Sequence, residues 1–337
     1  MSLSVSIIIP CKNEEQYIGR CLDSILKQDY PSDKTEVLVC DGLSTDHTVN
    51  EIKKYTQQHG NIRLIINEQQ TAPFAFNLGI KRSSSDVVII LGAHSELYPN
   101  YVSACIHCLE KFPEAGCTGG IIENIYENDT AEAIGKAMSS PFGVGNAHFR
   151  TGARDGFVDT VAFGAYKREV FQKAGYFDEA LIRNQDDEFN FRLIKSGYKI
   201  FLSKEIRSKY YVRASLSKLM RQYFQYGYWK VCVSRKHRTV TTGRQLVPAL
   251  FVLFLLAYPF MYWASVKLFV LFSCITGMYL LLAFALAAAS ASRITQIHKI
   301  LISFFILHWG YGLGYLSGLI DFIVLGKPIK KQETITR

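Results

Sequence analysis

The chain opens on a short apolar run, Ser4–Ile9, closed by Pro10. Glu14–Gln28 then sets Ile18, Leu22, Ile25 and Leu26 at helical spacing. The alternation repeats. Glu36–Cys40 reads as a strand, Asp46–Gln58 as a helix that Ser44 or Thr45 can cap, and Ile62–Ile66 as a strand. Pro73 suits the first turn of a helix through Lys81, and Asp86–Leu91 is a continuous buried run. Pro99–Lys111 is helical and Gly116–Ile122 strand-like. Strands alternating with helices predict βαβ units, hence an α/β fold with a doubly wound, mostly parallel sheet. Such sheets bind ligands beyond the C-terminal ends of their strands. That points to Pro10–Glu14, Asp41–Asp46, Glu68–Pro73 and Gly92–Glu96. Neither Gly-x-Gly-x-x-Gly nor a Walker loop occurs, so dinucleotide and P-loop chemistry has weak support.

The pattern changes after Leu246. Up to Ser292 the only charged residue is Lys267, and Leu246–Val266 and Leu268–Ala291 are each long enough to cross a bilayer. Lys299–Leu325 is a weaker third candidate, interrupted by His308, four glycines and Asp321. Charge sharpens the division. The net +9 is uneven: Lys195–Arg244 holds 13 basic residues and one acidic, whereas the preceding 194 residues are net acidic. Lys230, Arg235, Lys236, Arg238 and Arg244 precede the first span, which places the N-terminal part in the cytoplasm by the excess of Lys and Arg on inner loops. The basic tail, with Lys327, Lys330, Lys331 and Arg337, should lie on the same side, so either the third segment is re-entrant or interfacial, or the charge rule fails there. Val5–Pro10 is too short for a secretory signal. The eight cysteines have no framework spacing, and Cys105-Ile106-His107-Cys108 reads as helix-face thiols.

Two strand ends carry the candidate chemistry: Pro10-Cys11-Lys12-Asn13-Glu14 and Cys40-Asp41-Gly42-Leu43-Ser44-Thr45-Asp46. An Asp at a strand end before a Gly turn and a capped helix can accept hydrogen bonds from a base or ribose; the bland alternative is a turn with a helix cap at Asp46. Further on, Arg183-Asn184-Gln185-Asp186-Asp187-Glu188 puts three acids at the start of a helix, where the dipole alone already favours them.

Together these segments resemble glycosyltransferase family two, nucleotide-sugar transferases of the GT-A fold, and its membrane-anchored exopolysaccharide subgroup of succinoglycan type, over about Ser4 to Lys230. The resemblance implies nucleotide-sugar contacts at Pro10, Asn13, Glu14, Asp41, Asn77, Gly92 and His94, with Asp41 facing uracil. Phe76 stands where the family usually has Arg. Gly92-Ala93-His94 stands where the family has Asp-x-Asp, which holds manganese or magnesium on the diphosphate; His94, and secondarily Glu96, are the ligands left. Asp186 matches the family's general base, and Gln185, Asp187, Arg192, Arg213 and Gln222 are implied on the acceptor and diphosphate side.

The expected organisation is a nucleotide-sugar-binding half (1–125), an acceptor half (126–209), a basic amphipathic membrane-surface segment (210–244), transmembrane helices (245–326) and a basic tail (327–337). The implied function is inverting transfer from a UDP-sugar to a polyprenyl-diphosphate-linked saccharide at the inner membrane, with other polysaccharide-assembly proteins as partners. Rivals are a polyprenyl-phosphate sugar synthase, a catalytically silent nucleotide-sugar-binding scaffold and a transporter. Charged residues are too few in the spans to line a transport path. Aromatic and basic residues in Tyr210–Lys230 suit a membrane surface; attachment to membrane spans argues against nucleic acid.

Overall fold

The computed structural model describes residues 2–152, 154–212, 214–240 and 243–328, without the side chain of Arg244. Arg213 and most of the basic tail therefore lie outside the described residues. The chain divides into two compact units. One comprises residues 1–124 and 148–211, and the other comprises residues 125–147 and 212–329. The stretch expected to open an acceptor half is thus shared: residues 125–147 pack with the C-terminal helices.

In the first unit, β1 (Val5–Cys11), β2 (Thr35–Asp41), β3 (Ile62–Ile66) and β4 (Val87–Ile90) pair in parallel in the order β3-β2-β1-β4. Helices α1 (Ile18–Leu26), α2 (Thr48–Gln58) and α3 (Ala72–Arg82) connect them. This is the parallel half that the alternating pattern predicts. Beyond it the sheet is mixed. After β5 (Ser95–Leu97), α4 (Tyr101–Lys111) and β6 (Ala115–Ile125), the chain adds β7 (Gly156–Val158), β8 (Ala162–Lys167) and β9 (Lys199–Tyr211). Strand β8 runs antiparallel to β4 and β6, while β9 is antiparallel to β5 and β7.

Alternation along β1 explains the two cores. Ile7 and Ile9 join Leu22, Ile25 and Val102 on one face; Ile8 joins Phe76, Ile80 and Phe177 on the other. A Cβ at Gly79 would stand 2.5 Å from Ile8 Cγ2, so glycine lets α3 press onto the sheet. The cysteines of α4 are buried free thiols, and burial pushes the Cys105 thiol well above its ordinary range. Cys105 and Cys108 both lie on the buried side of α4.

The second unit contains α5 (Asp129–Ser139) and α6 (Pro141–Val144). In the first unit lie α7 (His148–Thr151), α8 (Arg168–Ala174) and α9 (Gln185–Lys195). The second unit resumes with α10 (Leu216–His237), α11 (Val247–Ala264), α12 (Val266–Ser290) and α13 (Ile297–Gly318), the last continued by a π-helical turn Leu319–Val324. Three of its helical segments are long and apolar enough to cross a membrane: Val247–Ala264, Val266–Ser290 and Ile294–Val324. The glycines of the third do not break it. Gly310 lies against Met220, Gly314 against Phe224 and Gly318 against Tyr228, so α10 and α13 run in parallel register; a Cβ at Gly314 would come 2.0 Å from Phe224 O. Small residues every fourth position permit this backbone approach. At the other end of α13, Lys299 pairs with Asp129 at 2.5 Å and the buried Gln296 donates to Asp129 and Glu132.

Candidate active site

Strand ends β1, β2 and β4 assemble one constellation. Asp41 closes β2, is almost fully buried, and accepts hydrogen bonds from the Ser44 hydroxyl at 2.5 Å and the Ser44 amide at 3.0 Å. Asn13 sits in the left-handed region (φ 56°), which Asn tolerates better than most residues. Its amide donates to Ser44 Oγ at 2.8 Å, and its Oδ1 accepts from the Thr45 amide at 2.8 Å. Asn13 and Asp41 thus lock the loops after β1 and β2 to each other. Asp46 caps the start of α2, its Oδ1 accepting from the Thr48 amide at 3.0 Å and hydroxyl at 2.6 Å. Burial opposes its ionisation, but the Thr48 and Glu15 bonds outweigh this and hold the carboxyl below its ordinary range.

Glu14 is buried at the head of α1, its amide donating to Thr48 Oγ1 at 2.7 Å. Its Oε1 lies 3.5 Å from Nδ1 of His94, which follows β4 and is about a quarter exposed. The His94 ring meets the Tyr210 ring edge-on, with centroids 5.3 Å apart. Gly92 lies beside His94, and a Cβ there would meet only ordinary contacts with Phe163, Ser95 and His94. Pro10 pairs with Cys40 at the end of the β1–β2 ladder. Pro10, Asn13, Glu14, Asp41, Gly92 and His94 therefore share one end of the parallel sheet, as expected.

Other anticipated residues have different work. The Asn77 amide donates to Phe177 O and to Glu179 Oε1, both at 2.9 Å, and its Oδ1 accepts from the Phe177 amide at 3.0 Å. It staples α3 to the segment before α9 instead of facing the donor loops. Arg192 forms a fork on the fully buried Glu188, with bonds of 2.9–3.1 Å, and also donates to the carbonyls of Tyr176 (2.7 Å) and Ala174. Its guanidinium is a structural brace and not a free acceptor contact. Glu96 accepts from the Tyr211 hydroxyl and lies 3.4 Å from Lys209 Nζ, which ties it to β9. Gln222 belongs to the second unit, on α10, and donates to the Tyr226 hydroxyl at 2.8 Å.

Asp186 and Asp187 open α9 behind Asn184, itself in the left-handed region (φ 58°). Asp186 is exposed, and its Oδ1 accepts from the Asp187 amide at 2.9 Å. It is near enough to Tyr166 that, after burial and Cys117, its charge helps push that phenol well above its ordinary range. Among the described residues, Gln185 Oε1 is buried without a hydrogen-bond partner.

A divalent cation on the donor diphosphate would have His94 and Glu14 as its protein ligands here, the rest of its shell coming from phosphate oxygens and water. His94 and Glu14 supply one nitrogen and one oxygen, Asp41 is engaged by Ser44 and Glu96 by Tyr211, and no group of three His, Cys, Asp or Glu occurs among the described residues. One further basic residue meets a ring that borders the site. Arg150, on α7, lies 5.7 Å from the centroid of Tyr210; its surrounding segment, Phe142–Arg154, has no periodicity that would single it out.

Among solved structures, a mannosyltransferase from Pyrobaculum calidifontis in complex with GDP-Man and Mn2+ shares the fold with a TM-score of 0.60, at 18% identity over 90% of this chain and 86% of that one. Residues 1–349 of S. aureus TarS align with a TM-score of 0.54 at 14% identity over 96% of this chain and 92% of that one. In sequence, the chain is 38% identical over 240 residues to the dolichyl N-acetyl-alpha-D-glucosaminyl phosphate 3-beta-D-2,3-diacetamido-2,3-dideoxy-beta-D-glucuronosyltransferase of Methanococcus voltae, covering 69% of this chain and 74% of that protein. It is 28% identical over 251 residues to the succinoglycan biosynthesis protein ExoA of Rhizobium meliloti, covering 73% and 75%. Residues 6–175, which run from β1 to the end of α8 and include every donor-side strand end, match Glycosyl transferase family 2, so the chain belongs to that family of nucleotide-sugar glycosyltransferases.

Proposed function

We propose that the protein transfers one sugar, with inversion, from a UDP-linked donor to a saccharide carried on a membrane polyprenyl diphosphate, in surface polysaccharide synthesis. The observation that carries this reading is Asp186: an exposed carboxylate at the head of α9, in the same unit as the buried donor loops of a family 2 chain. A sugar hydroxyl is a poor nucleophile, and a positioned base that takes its proton is worth ~10²–10⁴ in rate. Attack on the anomeric carbon opposite the departing nucleoside diphosphate inverts configuration. Asn13 and Asp41 hold the base- and ribose-facing loops in place, which supplies alignment. The Methanococcus relative, named for transfer to a sugar on dolichyl phosphate, supports an acceptor saccharide over a bare lipid phosphate.

The membrane arrangement completes the reading. Helices α11 and α12 cross the cytoplasmic membrane, whereas α13 stays at its inner face with α10. The register of α10 on α13 sets the exposed Lys218 and Arg221 beside the middle of Ile294–Val324, and a basic residue at mid-bilayer costs about 2.5–3.5 kcal/mol. Helix α11 meets α13 around Pro248, Phe251 and Val252, against His308 and Gly312. The catalytic unit is then cytoplasmic, near lipid-linked acceptors and other assembly proteins.

The test is turnover by the purified full chain with labelled UDP-sugars and a lipid-linked acceptor. UDP release should require acceptor, and Asp186→Asn should lower turnover ~10²–10⁴-fold while donor binding persists. Unchanged turnover in that variant refutes the assignment of the base.

A further inference from the structure

The donor's diphosphate needs positive charge, and neither Phe76 on α3 nor Gly92 after β4 supplies any. We infer that Arg150 supplies it, as a direct contact of the donor diphosphate; the inference rests on the transferase reading above.

Three observations within the first unit support the assignment. Arg150, Tyr210 and His94 form a chain of contacts: the guanidinium lies over the Tyr210 ring, 5.7 Å from its centroid, and the His94 ring meets that ring edge-on at 5.3 Å. His94 in turn lies 3.5 Å from Glu14 beyond the end of β1, so this chain of contacts links α7 to the donor loops. Second, among the described residues Arg150 Nη1 is buried without a hydrogen-bond partner, as is Nδ1 of His148 two residues earlier. A buried guanidinium nitrogen with no acceptor is costly, and an oxyanion beside it removes that cost. Third, Lys12, the other cation at the strand ends, already donates to Gln70 Oε1 at 2.6 Å. A planar fork against two phosphate oxygens is the geometry for which arginine is suited and lysine is not.

Calorimetric titration of the full-length protein in detergent with UDP and with UMP tests this, with GDP and GMP run alongside. Wild type should bind one diphosphate, and Arg150→Met should weaken that binding at least tenfold while leaving the matching monophosphate within twofold; Arg150→Lys should fall between. Equal losses for diphosphate and monophosphate, or no loss for either, overturn the role of Arg150 while leaving the transferase reading intact. Wild-type protein that binds neither diphosphate overturns both. If Arg150→Met does not fold, the Arg150→Lys titration carries the same comparison, and a diphosphate affinity equal to wild type there overturns the assignment.

Discussion

Arg192 was expected on the acceptor side, and its geometry gives it a different consequence when removed. Glu188 is fully buried, and Arg192 is its bidentate partner, with N–O distances of 2.9–3.1 Å. Arg192→Met keeps much of the side-chain volume but leaves that carboxylate uncompensated, which costs about 3–5 kcal/mol. It also frees the carbonyls of Ala174 and Tyr176. For a unit of roughly 190 residues, each kcal/mol moves the melting temperature by about 2–4 °C, so a fall of about 6–20 °C is expected. The assay is thermal unfolding of the full chain in detergent, followed by the tryptophan-independent signal of a far-UV helix band, with KM for the acceptor measured below the transition. Glu188→Gln combined with Arg192→Met should recover part of the loss, because no buried charge then remains. A variant with unchanged melting temperature and an acceptor KM raised tenfold would refute the brace and restore Arg192 to the substrate side.

Gly314→Val should force α10 and α13 apart, since its Cβ would stand 2.0 Å from Phe224 O; unfolding temperature should drop, while Gly277→Ala on α12, with open space around it, leaves it unchanged. Asp86 accepts from the Ser4 amide at 2.8 Å and hydroxyl at 2.7 Å, and these bonds hold its carboxyl below the ordinary range. Its stabilisation is therefore present above the ordinary carboxylate pKa and lost as pH falls through the depressed value. Asp86→Asn should be less stable than wild type at pH 7, and the gap in melting temperature should close towards pH 3. For the membrane arrangement, Ser265→Cys, Arg293→Cys and Lys327→Cys in a Cys274→Ser background should label from opposite sides: residues 293 and 327 together, residue 265 alone. Labelling of 327 with 265 would mean that α13 crosses.

The linear pattern determined the parallel strand–helix repeats, the donor-side strand ends and the apolar helices, because each depends on periodicity or on residues adjacent in the chain. Ile7, Ile8 and Ile9 alternate between two cores, and Asp41-Gly42-Leu43-Ser44 closes its own turn, so both could be read locally. Only tertiary structure decided how polar side chains divide between support and chemistry. Asn77 meets Phe177 and Arg192 meets the loop at Tyr176 across distances no period encodes, and Arg150 and His94 share a neighbour only because Tyr210 on β9 contacts both. The glycines of α13 illustrate the same limit. Alone they read as helix breakers, but against α10 they are the positions that let two backbones touch, because a missing Cβ has a physical effect only where something else occupies its space.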